Sequence, residues 1–143
     1  MPPLNWLAVG AAVVAYFIIA FLWYGPLLGN AWLKEMGKGP DFKPDVALLK
    51  RSMLLMLVGA TLTAVVLACA IELSRPLTPH AGDDAPDVVY GLAAAFGAWI
   101  GFCVPLLLGG VAWENRSWRL FGINAGYHLT ALLAAGIILA LWQ

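Results

Sequence analysis

The chain alternates between long apolar stretches and short polar segments. Four of the apolar stretches are long enough to cross a bilayer, whose hydrocarbon core takes about 20 helical residues. They predict transmembrane helices at about residues 4–28, 52–73, 87–112 and 119–142. The first stretch lacks the basic start and the cleavage site of a signal peptide, so we expect it to be retained. At 143 residues there is room for one domain. We therefore expect a single all-α integral membrane protein over residues 1–143.

Composition strengthens this prediction. The chain is 62% hydrophobic and only 11% charged, whereas soluble domains are about 45–50% apolar and about 25% charged. The lipid bilayer is therefore the expected partner. The net charge of zero gives no basis for nucleic-acid binding.

Basic residues are distributed unevenly between the polar segments. The second segment carries only Arg75 and the chain ends carry none, whereas the first and third carry the others: Lys34, Lys38, Lys43, Lys50, Arg51, Arg116 and Arg119. Because cytoplasmic loops are enriched in Lys and Arg, these two segments are predicted to face the cytoplasm. Both termini would then lie outside the cytoplasm, in a multi-pass protein of the cell (inner) membrane.

The two halves of the chain share a weak similarity. The first span ends in "PLLGNAW" and the third in "PLLLGGVAW", and each is followed by charged residues and a returning helix. One interpretation is a repeated helical hairpin, as some transporters have. The other is that such residues are common at the interfacial ends of helices.

Small residues predict where the helices touch, because association in lipid depends on close packing. Gly97 and Gly101 form such a row on the third span, and Pro105 continues it and should kink the helix. On the fourth span, Gly122 and Gly126 form a comparable row.

A second row on the fourth span contains Asn124 and His128, with Tyr127 beside them. Polar residues that face lipid are costly, so we expect these side chains to face protein. His128 could carry protons or be a neutral residue that holds helices together. Tyr16, in the middle of the first span, is a plausible interior partner for His128. Tyr24 lies at the predicted cytoplasmic interface of the membrane. It could belong to a ligand site or to the belt of aromatic residues that is common at this depth.

The turn between the third and fourth spans is short, so a Glu114–Arg119 pair is expected to fix it, with Asn115 or Ser117 as the helix cap. A role of these charged residues in binding a substrate is the alternative. The sequence contains no Ser–His–Asp set, no nucleotide-binding glycine pattern and no metal-ligand spacing. We therefore expect no enzyme activity, no cofactor and no metal.

Three motifs give the chain a family resemblance: "LNWLAV", "FLWYGPLLGNAWLKEMG" and "WENRSWRLFGINAGYHL". With the four spans, they make it resemble the family called domain of unknown function 1761, over almost its whole length. The resemblance implies a small four-helix membrane protein and no established activity. The family's characteristic positions correspond to Asn5, Trp23, Tyr24, Pro26, Gly29, Trp32, Asn124, Gly126 and Tyr127.

Three functions follow as hypotheses. The first is a transporter- or channel-like protein that acts as a homo-oligomer, with the polar row of the fourth span in its interior and a small molecule or ion of unknown identity as substrate. The alternative is a non-catalytic accessory or lipid-binding protein whose polar residues serve assembly. The third, less favoured, is a membrane enzyme that handles a quinone or isoprenoid near Tyr24, Tyr127 and His128.

Overall fold

A computed structural model describes residues 4–75 and 87–142. All regular structure in these two ranges is helical. The helices are α1 (Trp6–Leu22), α2 (Gly29–Glu35), α3 (Val46–Ser74), α4 (Asp87–Ala98), α5 (Val104–Trp113) and α6 (Trp118–Trp142). A π-helical turn follows α1 at Trp23–Leu27, and another joins α4 to α5 at Trp99–Cys103.

Four of the resulting helical segments are long and apolar enough to cross a membrane: Trp6–Leu27, Val46–Ser74, Asp87–Trp113 and Trp118–Trp142. The predicted fold class, an all-α protein with four membrane spans, is confirmed. The second span, α3, begins at Val46 rather than at about residue 52. Asp45 caps it there, because its Oδ1 accepts the Leu48 N–H at 2.7 Å. The acidic, Pro-rich residues 76–86 lie outside the described residues.

Both π-helical turns lie next to a proline. Pro26 is inside the first turn, and Pro105 lies two residues after the end of the second. Proline has no N–H to donate, and its ring clashes with the carbonyl of the residue four positions earlier. A wider π turn accommodates that clash, so the irregularity expected at Pro105 takes this form.

The bundle is arranged around α6. This helix packs against both α1 and α4, and α3 closes the bundle by packing against the same two helices. The core between them is built from small side chains, and eight alanines are completely buried: Ala8, Ala12, Ala64, Ala68, Ala95, Ala131, Ala135 and Ala140. Ile71 and Leu139 are the largest side chains that are fully buried. Such residues let the helix backbones approach closely.

The closest approach is between Gly91 of α4 and Gly136 of α6. A Cβ atom added to Gly91 would lie 2.7 Å from the Ala140 Cβ, and it would also collide with the Gly136 carbonyl. A Cβ added to Gly136 would lie 3.1 Å from the Ala95 Cβ. The contact face of α4 therefore runs through Gly91 and Ala95.

The predicted contact row on the third span was wrong for this bundle. Gly97, Gly101 and Pro105 are all exposed, and a Cβ added to either glycine would meet nothing within 4 Å. Gly122 on α6 is likewise open, whereas Gly126 is packed. The reason is that α4 presents two small-residue rows, and the bundle buries the one containing Gly91.

The order of elements is similar in the two halves. Each half has a helix, a π-helical turn beside a proline, a short helix and then a long helix. A repeated hairpin remains a hypothesis that this order favours.

Candidate ligand-binding cleft

Two tryptophans bind the first and third spans to α6 near its start. Trp23 donates its indole N–H to the Ile123 carbonyl at 2.9 Å, and Trp99 donates to the Ala125 carbonyl at 2.8 Å. Each residue is the first of a π-helical turn. The Trp23 ring also covers Gly126, where an added Cβ would lie 2.9 Å from the ring. These indoles set the positions of the first and third spans relative to α6.

Between the two anchors, Tyr24 donates its hydroxyl hydrogen to Asn124 Oδ1 at 2.9 Å. The Tyr24 ring lies 5.1 Å from the Tyr127 ring and 5.6 Å from the Trp32 ring, measured between centroids. Gly29 permits the turn into α2, because a Cβ there would lie 2.6 Å from the Tyr24 carbonyl oxygen. Most positions that carried the family resemblance therefore meet in one cluster.

A cavity of about 310 Å³ lies beside this cluster, in the half of the bundle nearer α2. It is open on one side and lies between α1, α3, the second π turn and α6. Its walls are mainly apolar or small, and no charged side chain of the described chain lines it. The lining residues are Tyr16, Phe17, Met56, Gly59, Ala60, Thr63, Cys103, Tyr127, His128 and Leu132. We refer to it as the intramembrane cleft.

The part of α3 that forms one wall of the cleft is exposed on the side facing away from the bundle. Residues 46–59 of α3 are exposed throughout, and they include large apolar side chains such as Leu54, Leu55 and Val58. The part of this segment that follows Arg51 is apolar and would lie against acyl chains in a bilayer. Lipid can therefore reach the cleft from this side.

Tyr16 lies in the wall of the cleft with its hydroxyl oxygen unpaired. The residue is only 6% exposed, and its hydroxyl has no hydrogen-bond partner among the described residues. The expected Tyr16–His128 pair does not form as a hydrogen bond, although both residues line the cleft. His128 is half-buried, and the centroid of its ring lies 5.0 Å from that of the Tyr127 ring. Its imidazole does not bond to Asn124, which is bound to Tyr24 instead.

The turn between α5 and α6 is paired differently from the prediction. Glu114 pairs with Arg116, with Nε 3.2 Å from Oε2, rather than with Arg119. Arg119 lies 3.9 Å from Glu35 of α2. The physical reason is the positive φ of Asn115, 53°, a left-handed conformation that Asn tolerates and that turns the chain within the loop. Ser117 accepts the Leu120 N–H at 3.1 Å and caps α6.

Sequence reasoning missed Trp99 and Cys103. Trp99 does carry a signal, because tryptophan prefers the interface and this one lies twelve residues into its span. A buried indole N–H needs an acceptor, which the Ala125 carbonyl supplies. Cys103 carries no such signal in the sequence. It lies in the cleft because the second π turn ends at this residue.

No group of three or more His, Cys, Asp or Glu residues comes together within residues 4–75 and 87–142. His80, Asp83 and Asp84 belong to the segment outside these ranges.

Comparison with known proteins gives one match. A family model described as "Protein of unknown function (DUF1761)" matches residues 7–140. Neither a curated protein nor a solved structure matches the chain.

Proposed function

The chain belongs to the DUF1761 family and is a multi-pass membrane protein, and we propose that it binds a neutral, lipid-soluble ligand in the intramembrane cleft without transforming it. The observation that carries this proposal is the Tyr16 hydroxyl, which lies buried in the cleft wall without a hydrogen-bond partner in residues 4–75 and 87–142. A buried hydroxyl without a partner costs about 1–3 kcal/mol. A ligand oxygen in the cleft would supply the missing partner once a small movement of the lining side chains uncovers the buried hydroxyl.

The lining of the cleft defines the class of ligand. Tyr16 and His128 offer hydrogen bonds to a polar head, and the apolar walls suit a hydrocarbon tail. Because no charged side chain among the described residues lines the cleft, a charged head would lose its hydration without gaining a counterion. An alcohol or carbonyl head on an apolar chain fits these conditions.

The test compares three probes with the same tail in nanodiscs: dodecanol, dodecane and dodecyl phosphate. Dodecanol should raise the thermal midpoint of the protein, whereas dodecane and dodecyl phosphate should not. Tyr16→Phe should remove most of the dodecanol effect, because it deletes the hydroxyl and keeps the ring.

Tyr24→Phe is the matched control, since it deletes a tyrosine hydroxyl outside the cleft and should leave the dodecanol shift intact. Equal shifts in the wild type and in Tyr16→Phe would contradict the proposal. Preference for the phosphate would also contradict it.

A second candidate is transport by a homo-oligomer of this chain. The observation that favours it is the difference between the two halves of the bundle. The half containing residues such as Ala8, Ala68 and Leu139 is tightly closed, whereas the half nearer α2 holds the open cleft. Transporters likewise place a substrate site near the middle of the bilayer. Small exposed residues favour close contact between helices in lipid, so we propose that copies associate through the exposed row of Gly97 and Gly101.

Flux in proteoliposomes that falls with His128→Ala would support transport. Native mass spectrometry should then show oligomers that Gly101→Leu disrupts. Monomers without flux for a broad panel of substrates would remove this candidate and leave ligand binding alone.

We also propose that the protein lies in the inner membrane and that both of its termini are outside the cytoplasm. The support is the concentration of Lys and Arg from α2 to the first turns of α3, and from the α5–α6 turn to the first turn of α6.

A further inference from the structure

A second cavity lies at the end of the bundle where α5 turns into α6. It has a volume of about 370 Å³ and lies between α2, α5 and α6. Because the turn at residues 114–117 joins two membrane spans, this cavity is at the level of the lipid headgroups. It is separate from the intramembrane cleft and shares no lining residue with it.

The cavity has one acidic and one basic side chain in its described lining, Glu114 and Arg116. Their atoms are 3.2 Å apart, and both side chains are well exposed, at 63% and 45%. The only other contact of the Arg116 guanidinium with the described chain is to Met36 Sδ at 3.7 Å. Its remaining N–H groups are available for an oxyanion.

The charged side chains of the described lining cancel, because Glu114 balances Arg116. Just outside it, Glu35 lies 3.9 Å from Arg119, and the Lys38 ammonium lies 5.8 Å from the centroid of the Trp32 ring. An anionic lipid therefore gains no net attraction from the lining itself. A ligand that carries one negative and one positive group can interact with both members of the Glu114–Arg116 pair.

Asn124 adds a fixed donor on the inner side of the cavity. Its Oδ1 accepts the Tyr24 hydroxyl, so the amide presents its N–H groups in other directions. No described residue accepts from them. These donors suit a phosphate or ester oxygen.

The rest of the cavity is apolar. Leu107, Val111, Leu120 and Phe121 line it together with Trp32. Such a wall accommodates the upper part of an acyl chain, and tryptophan is favoured at this depth.

We propose that this cavity binds the headgroup of a phospholipid that carries both a phosphate and a primary ammonium group, as phosphatidylethanolamine does. Arg116 and the Asn124 amide bind the phosphate, and Glu114 accepts hydrogen bonds from the ammonium group. A trimethylated headgroup lacks those N–H donors, and a glycerol headgroup lacks the positive charge.

The test uses the full chain in vesicles with equal amounts of phosphatidylethanolamine, phosphatidylcholine and phosphatidylglycerol with identical acyl chains. Lipids retained on the protein are counted by native mass spectrometry. Phosphatidylethanolamine adducts should exceed each of the others by about threefold, the size expected of an exposed ion pair. Glu114→Gln should bring the ratio to phosphatidylcholine close to one, and Arg116→Gln should reduce retention of all three lipids.

Arg119→Gln is the matched control, because it removes the same charge from a residue that does not line the cavity. It should keep the preference for phosphatidylethanolamine. Both lining side chains are exposed, so circular dichroism should show each variant folded. Equal retention of the three lipids, preference for phosphatidylglycerol, or an unchanged preference in Glu114→Gln would each overturn the proposal. None of these results depends on whether dodecanol binds the intramembrane cleft.

Discussion

Two tyrosines of the first span have opposite hydrogen-bonding situations. The Tyr24 hydroxyl donates to Asn124 at 2.9 Å, whereas the Tyr16 hydroxyl is buried without a partner in the described chain. The same chemical change at the two positions should therefore have different effects on stability.

Tyr24→Phe should lower the free energy of unfolding by about 1 kcal/mol, because it leaves the Asn124 oxygen without its donor. Tyr16→Phe should leave stability unchanged or raise it in ligand-free protein, since it removes an unpaired buried hydroxyl. Reversible unfolding in detergent measures both changes. A larger loss for Tyr16→Phe would mean that its hydroxyl is bonded within the protein.

At the scale of elements, helix ends and helix crossings carry the specific contacts. Asn5 caps α1 by accepting the N–H groups of Leu7 and Ala8, at 3.1 and 3.3 Å. Its Nδ2 also donates to the Trp142 carbonyl at 2.7 Å. One side chain thus begins α1 and binds the end of α6.

Asn5→Ala should destabilise the protein by about 1–2 kcal/mol, since it removes both the cap and the bond between the helix ends. Asp45→Ala, which removes the cap of α3 alone, should cost less, about 1 kcal/mol. Chemical denaturation in mixed micelles provides the comparison. Equal losses would indicate that the bond to Trp142 adds nothing.

The crossing of α4 and α6 gives another pair of matched variants. Gly91→Ala should cost about 1–3 kcal/mol, because its Cβ collides with Gly136 and Ala140. Gly97→Ala on the same helix adds the same methyl group in open space, and it should change stability by less than about 1 kcal/mol, in the favourable direction. Thermal melting of both proteins tests this. The opposite ranking would mean that the row containing Gly97 forms the crossing.

These two rows show the limit of sequence analysis for helix contacts. The four spans were predictable, because length and apolar character are properties of each segment alone. The choice between Gly91 and Gly97 was not, because both faces of α4 are apolar and carry small residues, and lipid does not discriminate between them.

The candidate sites were predictable to a similar degree. Asn124, Tyr127 and His128 stood out because polar groups within a span are rare. Their partners depend on the π turns, which bring Tyr24 to Asn124 and Cys103 into the cleft. Sequence periodicity assumes a regular helix, so it cannot predict how a π turn changes the direction in which the following side chains point.

For the whole molecule, four spans put both ends of the chain on the same side of the membrane. With the basic segments in the cytoplasm, a C-terminal alkaline phosphatase fusion should be active, and a C-terminal green fluorescent protein fusion should be dark. Fusions placed after Lys38 should give the reverse pattern. Active phosphatase after Lys38 would show that the orientation is inverted.

The central position of α6 has a consequence for how the protein is made. It is the last of the four spans to leave the ribosome, yet α1 and α4 both pack against it. Until it emerges, the alanine face of α1 and Gly91 of α4 have no α6 to pack against. The bundle can therefore be completed only after α6 has been made, and a chain truncated before α6 should be a substrate for membrane quality control.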